Sequence, residues 1–457
     1  MHGHPSPPQI RTATAPRRGR HGRRRPLWMI ALAALVCGAA LAALVLFVLG
    51  DDEERPGQGG VDVAQVGQIN AGLPGDWTNW GFTHTQTSLE ATPAAKAAVA
   101  GVPMLQVQHI MGFGADNPQI TPGQYNWSSL DRRMKDIRET GGVPMITLCC
   151  APDWMKGGPE GSTDWNHLED SPLPKFFDAF AAQAADVARR YPDVKYYFVW
   201  NEFKGFFNQD ANRWDFEGYT QLYNKVYAAL KKVDSSLQVG GPYIPVNSYS
   251  GAHSAASKDL TGPWGAADQR ALTAIEYWIE HKQGADFVVV DGSSLPEDRT
   301  AHEDPFRDNA KFSAVTEWLR GKTDLPAVWA EWYTEPQNSG WTAPKLQAVQ
   351  ADAMIHFAKS GAAGALYWSP QGIPNCTSCL WGNDGRALPP LEMLQNFVRL
   401  FPPGTELRRV DVSEPKVSTL ASGTDLLVVN TSEASLTASV DGEDLDLKPY
   451  EIRWTKR

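Results

Sequence analysis

Short apolar runs recur along the chain from Trp80 onward, each followed by a stretch whose apolar positions repeat every three or four residues. The runs read as strands buried on both faces and the stretches as helices packed on one face, the alternation of a parallel sheet covered by helices. The clearest strand is Tyr196-Tyr197-Phe198-Val199-Trp200, which stops abruptly at Asn201-Glu202. Others run from Trp80 to His84, Met104 to His109, Val143 to Cys150, Leu237 to Gly241, Asp286 to Val290, Ala327 to Ala330 and Ala363 to Trp368. Helices are predicted up to Ala100 and over Trp127–Thr140, Pro174–Arg190, Phe216–Val233, Asp268–Lys282, Asp308–Arg320, Ala343–Lys359 and Leu391–Leu400. Eight strand–helix units in about 320 residues predict a (β/α)8 TIM barrel with long loops.

After Phe401-Pro402-Pro403-Gly404 the period shortens. Val410–Val412, Val417–Leu420, Leu426–Asn430, Leu436–Val440 and Ile452–Trp454 are turn-separated strands, which predicts a small antiparallel β-sandwich. Val61–Val66 is a candidate extra strand. At the other end, Leu27 to Gly50 carries no charge and is long enough to cross a bilayer of ~30 Å. Arginines precede it and Asp51-Asp52-Glu53-Glu54 follow, so the positive-inside rule predicts one transmembrane anchor with its N-terminus in the cytoplasm and the body outside. A cleavable signal peptide is the alternative. The expected organisation is a basic tail at 1–26, an anchor at 27–50, a linker at 51–66, a barrel at 67–402 and a sandwich at 403–457.

Charge narrows the partners. The net charge of −10 divides into +7 for residues 1–26, all from arginine, and −17 for the rest. An acidic body excludes nucleic acid and strongly anionic polymers and suits neutral or cationic ligands. No phosphate-binding Gly loop occurs, and the 10 His do not cluster as metal ligands do. Neither a metal nor a cofactor is expected. Of the cysteines, Cys376 and Cys379 are expected to form a short loop disulfide outside the cell, and adjacent Cys149 and Cys150 to be packed free thiols.

Two buried strands each deliver a glutamate to a C-terminal end, Glu202 after the fourth and Glu331 after the seventh, where α/β barrels place their chemistry. A facing pair of carboxylates is what glycosidic cleavage requires, one to protonate the departing oxygen and one to attack or to activate water. The bland reading is that each ends a strand and pairs with a nearby base. His84 and His109 end strands one and two and are candidates for sugar hydroxyls or, with equal weight, structural histidines. Asp153 and Trp154 follow strand three, either lining a cleft or serving a surface loop. Tyr333 is placed to orient a carboxylate or to pack. Glu335 ranks below Glu331 as a nucleophile because it lies beyond the apolar run. Asp291-Gly292 is a functional carboxylate or a turn.

Trp200-Asn201-Glu202, with Glu331 three strands later, resembles the motif of clan A glycoside hydrolases, and Tyr125-Asn126-Trp127-Ser128-Ser129-Leu130-Asp131 resembles that clan's entry to a barrel helix. The nearest likeness is to family 39, xylosidase-like enzymes with an appended β-sandwich, over roughly Trp77 to Arg457. The resemblance implies a retaining hydrolase with Glu202 as acid/base, its pKa raised by Glu331, and Glu331 as nucleophile. It also implies that Asn201 donates to the sugar 2-hydroxyl and that Trp368 forms an aromatic floor. Strand two departs from the clan, with Gln108-His109 where an arginine is usual; strand six ends in Val290-Asp291-Gly292, without His or Tyr. The expected protein is a membrane-anchored extracellular glycosidase acting on a neutral glycan. The alternative is a non-catalytic glycan-binding or scaffold protein on the same barrel.

Overall fold

The computed structural model describes residues 78–86, 89, 92–335, 339–369 and 375–456. The expected tail, membrane anchor, linker and Val61–Val66 strand lie outside the described residues. Among the described residues no helix is long and apolar enough to cross a membrane.

Eight parallel strands close a barrel: β1 (Trp80–Thr83), β2 (Leu105–His109), β3 (Val143–Leu148), β4 (Tyr196–Val199), β5 (Gln238–Pro245), β6 (Phe287–Ser293), β7 (Ala327–Tyr333) and β8 (Gly364–Tyr367). The helices after them are α1 (Pro93–Val99), α2 (Ser128–Glu139), α3 (Phe177–Arg190), α4 (Phe216–Val233), α5 (Gln269–His281), α6 (Pro305–Lys322), α7 (Ala343–Ser360) and α8 (Pro389–Leu400). Local chemistry sets several starts. Asp215, Asp268 and Asp304 accept from the first-turn amides of α4, α5 and α6, and Pro305 opens α6 where no amide donor is needed. Gly361 ends α7 in the left-handed conformation.

The apolar runs are double-sided, as a covered parallel sheet requires. Tyr196 and Phe198 of β4 fill the bore with Val107, Phe287, Val289 and Val328, while Tyr197 and Val199 face the helices. Each such side chain contributes ~1.5–3 kcal/mol by burial.

Two irregularities interrupt this alternation. On β5, Pro242 pairs with Val289 and Ile244 with Val290, so Tyr243 is one residue too many. On β7, Trp329 pairs with Val290 and Glu331 with Asp291, leaving Ala330 as the extra residue. A bulge re-aims the side chains beyond it. Val328 and Ala330 face the bore and Trp329 and Trp332 face the helices; without the bulge Glu331 would turn outward. The Ala330 carbonyl, displaced from the ladder, accepts the Thr83 hydroxyl at 2.9 Å.

The C-terminal strands are β9 (Val417–Ala421), β10 (Asp425–Asn430), β11 (Leu436–Val440), β12 (Glu443–Leu447) and β13 (Ile452–Lys456). A three-stranded antiparallel sheet in the order β9-β10-β13 faces the β11–β12 hairpin across Val417, Val428, Ala438, Val440 and Leu447. The expected Val410–Val412 strand is reduced to one bridge, Val412 to Val440. The outer face of the sheet packs on the barrel, with Trp454 against Phe397 at 5.5 Å and the Ser418 hydroxyl on Asp352 of α7 at 2.6 Å.

The loops hold structure that the apolar pattern does not announce. Ser248–Tyr249, Ala256–Gly262 and Gly265–Asp268 form a three-stranded sheet between β5 and α5, and Phe207–Asn208 pairs with Arg213–Trp214 after β4. The cysteine reading is half corrected. Cys376 and Cys379 are bonded as expected, with Cα atoms 5.5 Å apart. Cys149 and Cys150 are not free thiols: they form a disulfide across a cis peptide, Cα atoms 2.9 Å apart. Neighbours across a trans peptide lie ~3.8 Å apart, short of the usual disulfide span, so adjacency gave no hint of the bond.

Candidate active site at the C-terminal end of the barrel

The loop after β4 builds one wall. Trp200, Glu202 and Phe203 have φ of 71°, 48° and 54°, so three non-glycine residues occupy the left-handed region within four positions. Neighbours hold that turn in place. The Trp200 indole donates to the Lys204 carbonyl at 2.7 Å, Tyr219 of α4 donates to the Val199 carbonyl at 2.8 Å, and Phe203 stacks on Tyr219 at 4.0 Å. Strain of this kind concentrates where a side chain must be aimed. Here it aims Glu202, whose side chain stays 20% exposed.

The bulged strands build the opposite wall. Glu331 is 5% exposed and Asp291 1%. One carboxylate oxygen each from Glu202, Asp291 and Glu331 lie within 4.8 Å of one another. Tyr243, the bulge residue of β5, donates to Glu331 Oε1 at 3.0 Å. Lys204 bridges Glu202 Oε2 at 2.5 Å and Glu169 Oε1 at 2.6 Å.

Three carboxyls around one lysine cannot all be charged, and the environment sorts them. Burial pushes Glu331 up to about 8, with repulsion from Glu202 adding to it. Burial, then Glu202, also raises Asp291 well above the carboxylate range. Burial acts on Glu202 in the same sense, but the Lys204 ammonium and a hydrogen bond with Asp291 outweigh it and hold Glu202 below its ordinary value. The raised carboxyl expected at Glu202 therefore sits at Glu331 and Asp291, because the Lys204 ammonium lies against Glu202.

The remaining sequence candidates divide. Asn201 is 1% exposed and its side chain meets the His109 ring. His109 is fully buried against Phe113 at 4.2 Å, and burial lowers it to about 3, so it is neutral. Tyr333 and Trp368 pack 5.7 Å apart at the ends of β7 and β8; the ionisable neighbours of Tyr333 include Glu202, Asp291 and Glu331. His84 is held by Gln106 at 2.9 Å beneath the site. Trp154 donates to the Gln119 carbonyl at 3.0 Å and packs on Phe176, bracing its loop. Asp153 pairs with Lys156 at 3.3 Å. Glu335 lies apart from the three carboxyls and accepts from Thr334 at 3.0 Å and Tyr367 at 3.4 Å. Cys376 and Cys379 close the loop after β8, where the Ser378 carbonyl accepts from Tyr367.

Besides Lys204, two residues escaped the sequence reading. Tyr243 follows Gly240-Gly241-Pro242, and a proline in an interior strand was the one signal of a bulge there. Arg133 of α2 is buried and donates to Gln108 at 2.8 Å and to the Phe113 carbonyl at 2.8 Å. It brings a guanidinium to strand two from behind, although no arginine stands on the strand itself. Among the described residues Glu202, Asp291 and Glu331 are also the one group with the geometry of metal ligands. They include no histidine, and Lys204 already supplies a positive charge to Glu202.

The closed parallel barrel, with Glu202 after strand four and Glu331 near the end of strand seven, resembles the arrangement of clan A glycoside hydrolases and, within it, of family 39. No protein-family model matches the chain. In sequence, 135 residues are 29% identical to a beta-xylosidase of Caldicellulosiruptor saccharolyticus, spanning 27% of this chain and 26% of that protein. The match thus covers about a quarter of that relative's length. In fold, the chain is similar to a monomeric beta-xylosidase of Caulobacter crescentus CB15, with 17% identity and a TM-score of 0.52 over 79% of this chain and 75% of that one. It is also similar to the GH39 enzyme of Xanthomonas axonopodis pv. citri, with 17% identity and a TM-score of 0.52 over 80% and 74%. An endo-beta-1,4-mannanase of Thermotoga petrophila gives 12% identity and a TM-score of 0.51 over 84% and 92%. At such identities the likeness carries the fold.

Proposed function

We propose that the chain is a retaining β-glycosidase in which Glu331 is the nucleophile and Glu202 the acid/base. The observation that carries this reading is the spacing: one carboxylate oxygen of Glu202 and one of Glu331 lie within 4.8 Å of each other. Retaining enzymes set their carboxyls ~5–5.5 Å apart, whereas inverting ones need ~6.5–9.5 Å to admit a water between them. Glu331 attacks the anomeric carbon while Glu202 gives its proton to the departing oxygen. Glu202 then takes a proton from water, which displaces Glu331 and returns the sugar with its configuration kept. Tyr243 orients Glu331 and stabilises its charge. Asn201, beside the His109 ring at the strand end, would donate to the sugar 2-hydroxyl, and Trp368 offers an apolar face to the ring.

The acidic pocket favours a neutral glycan. The uncharged Leu27–Gly50 run between arginines and acids supports an anchored enzyme working outside the cell on polymer close to the membrane. Aryl β-glycosides and polysaccharides are the test, with Glu202→Gln and Glu331→Gln beside the wild type. Cleavage with retained configuration and losses of ~10³-fold or more in both variants is the expected result. A chain that binds glycans, never cuts them and binds equally well in both variants is a scaffold instead.

A further inference from the structure

Catalysis by this pair requires Glu331 ionised and Glu202 protonated. The surroundings favour the opposite arrangement, with Lys204 against Glu202 and Glu331 buried beside Tyr243. Both arrangements carry the same net charge, so a proton has to be moved and none gained or lost. The third carboxyl stands where that transfer would pass. Asp291 pairs with Glu331 in the β6–β7 register and lies within 4.8 Å of both glutamates. It is hydrogen-bonded to Glu202, and its enclosed Oδ1 receives no N–H or O–H from any described backbone group, hydroxyl or amide although the residue is 1% exposed.

From this geometry we infer that Asp291 is a positioning residue of the reaction centre, sharing its proton with Glu202 and relaying one from Glu331. This rests on the glycosidase reading above and adds a residue to it. In the relay Asp291 gives its carboxyl proton to Glu202 through the existing hydrogen bond and takes up the Glu331 proton in return. Glu331 goes from acid to carboxylate and Glu202 from carboxylate to acid. Asp291 ends as it began. The ionisable groups facing Asp291 are Glu202 and Lys204 from the loop after β4, Tyr243 from β5, Glu331 and Tyr333 from β7, and Lys311 from α6. Lys311 donates to the Ser293 carbonyl at 2.6 Å, two residues past Asp291. Burial and Glu202 raise Asp291 well above the carboxylate range, and burial holds Glu331 up to about 8, so the cluster keeps protons that separate, exposed carboxylates would have lost.

The relay is tested with two aryl β-glycosides of one sugar, one with a dinitrophenol leaving group that needs no acid and one with a phenol that does. In Asp291→Asn, which keeps the shape and cannot pass a proton, kcat falls about tenfold more for the phenyl than for the dinitrophenyl substrate. Formate restores the phenyl activity of Asp291→Ala. Equal losses on both substrates, or no rescue, overturn the relay and leave Asp291 a packing or sugar-binding residue. A second measurement needs no substrate. The infrared carbonyl band of protonated carboxyls at neutral pH is expected to lose one carboxyl in Asp291→Asn; loss of an ionised carboxylate band instead overturns the proposal. Should the wild type cleave no glycoside, the glycosidase reading fails, and the infrared result still decides whether Asp291 holds the proton.

Discussion

The two walls of the site aim a glutamate by different means. After β4 a strained left-handed turn holds Glu202 at the mouth, partly open, with an ammonium against it. On β7 a one-residue bulge in otherwise regular backbone turns Glu331 into the bore, enclosed, with a phenol as its hydrogen-bonding partner. The first wall supplies charge and access and the second supplies exclusion of water. A nucleophile gains from being desolvated and oriented, whereas an acid/base has to meet water and the leaving group. The difference therefore matches the two roles.

The largest effects should come from removing either end of the comparison. Glu331→Gly is expected to lose ~10³-fold or more on every glycoside, because the covalent step is gone whatever the leaving group. Glu202→Ala should lose ~10²–10⁴ on phenyl glycosides and far less on dinitrophenyl ones. Leaving-group dependence in the wrong variant would exchange the roles of the two walls. Next comes Tyr243→Phe. A hydrogen bond to a charged group contributes ~1.5–3 kcal/mol, so kcat should fall by roughly 10- to 100-fold with little change in KM. An unchanged kcat would leave Tyr243 as packing for Phe198, 5.6 Å away.

The walls were unequally legible. Barrel strands show as apolar runs because both faces are buried, and Asn201-Glu202 and Glu331 show because polar residues end those runs. The bulges at Tyr243 and Ala330 leave no periodic trace, since a single extra residue inside a strand changes direction and not composition. Tyr243 was missed for that reason. The sheet over Ser248–Asp268 has no apolar run to announce it: two of its strands are only two and four residues long, and the longest, Ala256–Gly262, is mostly polar. Which carboxyl holds the proton was also unreadable: it depends on where Lys204 points, two residues beyond Glu202 in sequence but directed by Glu169 from the loop after β3.

Lys204 sharpens the contrast further. In Lys204→Met the charge that favours ionised Glu202 is gone, so Glu202 keeps its proton to higher pH and the alkaline limb of kcat/KM should move up by about one unit. A limb that stays in place assigns it to another group. Glu331 gives a signal in stability. Its folded-state value of about 8 lies above that of an unfolded glutamate, ~4.3. The folded state thus binds more protons between these values, and this stabilising contribution, complete below ~4.3, is lost as pH rises through about 8. Glu331→Gln should melt above the wild type at pH 8, with the gap closing toward pH 5. A constant gap would mean that Glu331 ionises as freely as an exposed carboxylate.

The smallest effect should fall on a carboxyl outside both walls. Glu335 is only half-buried where Glu331 is enclosed, yet burial raises it too. A raised carboxyl alone therefore does not make a nucleophile. What Glu335 lacks is a facing carboxyl: its oxygens are taken by Thr334 and Tyr367, and Tyr367 is tied in turn to the Ser378 carbonyl at 2.8 Å and to Gln350 at 2.6 Å. Glutamine keeps one accepting oxygen there, and a neutral amide suits a site that disfavours charge. Glu335→Gln should leave kcat and its pH profile within about threefold of the wild type and cost ~1 kcal/mol or less, the net value of one hydrogen bond. A loss approaching that of Glu331→Gly would move the nucleophile from the bulge of β7 to the loop beyond it, and the contrast between the two walls would then have to be drawn around Glu335.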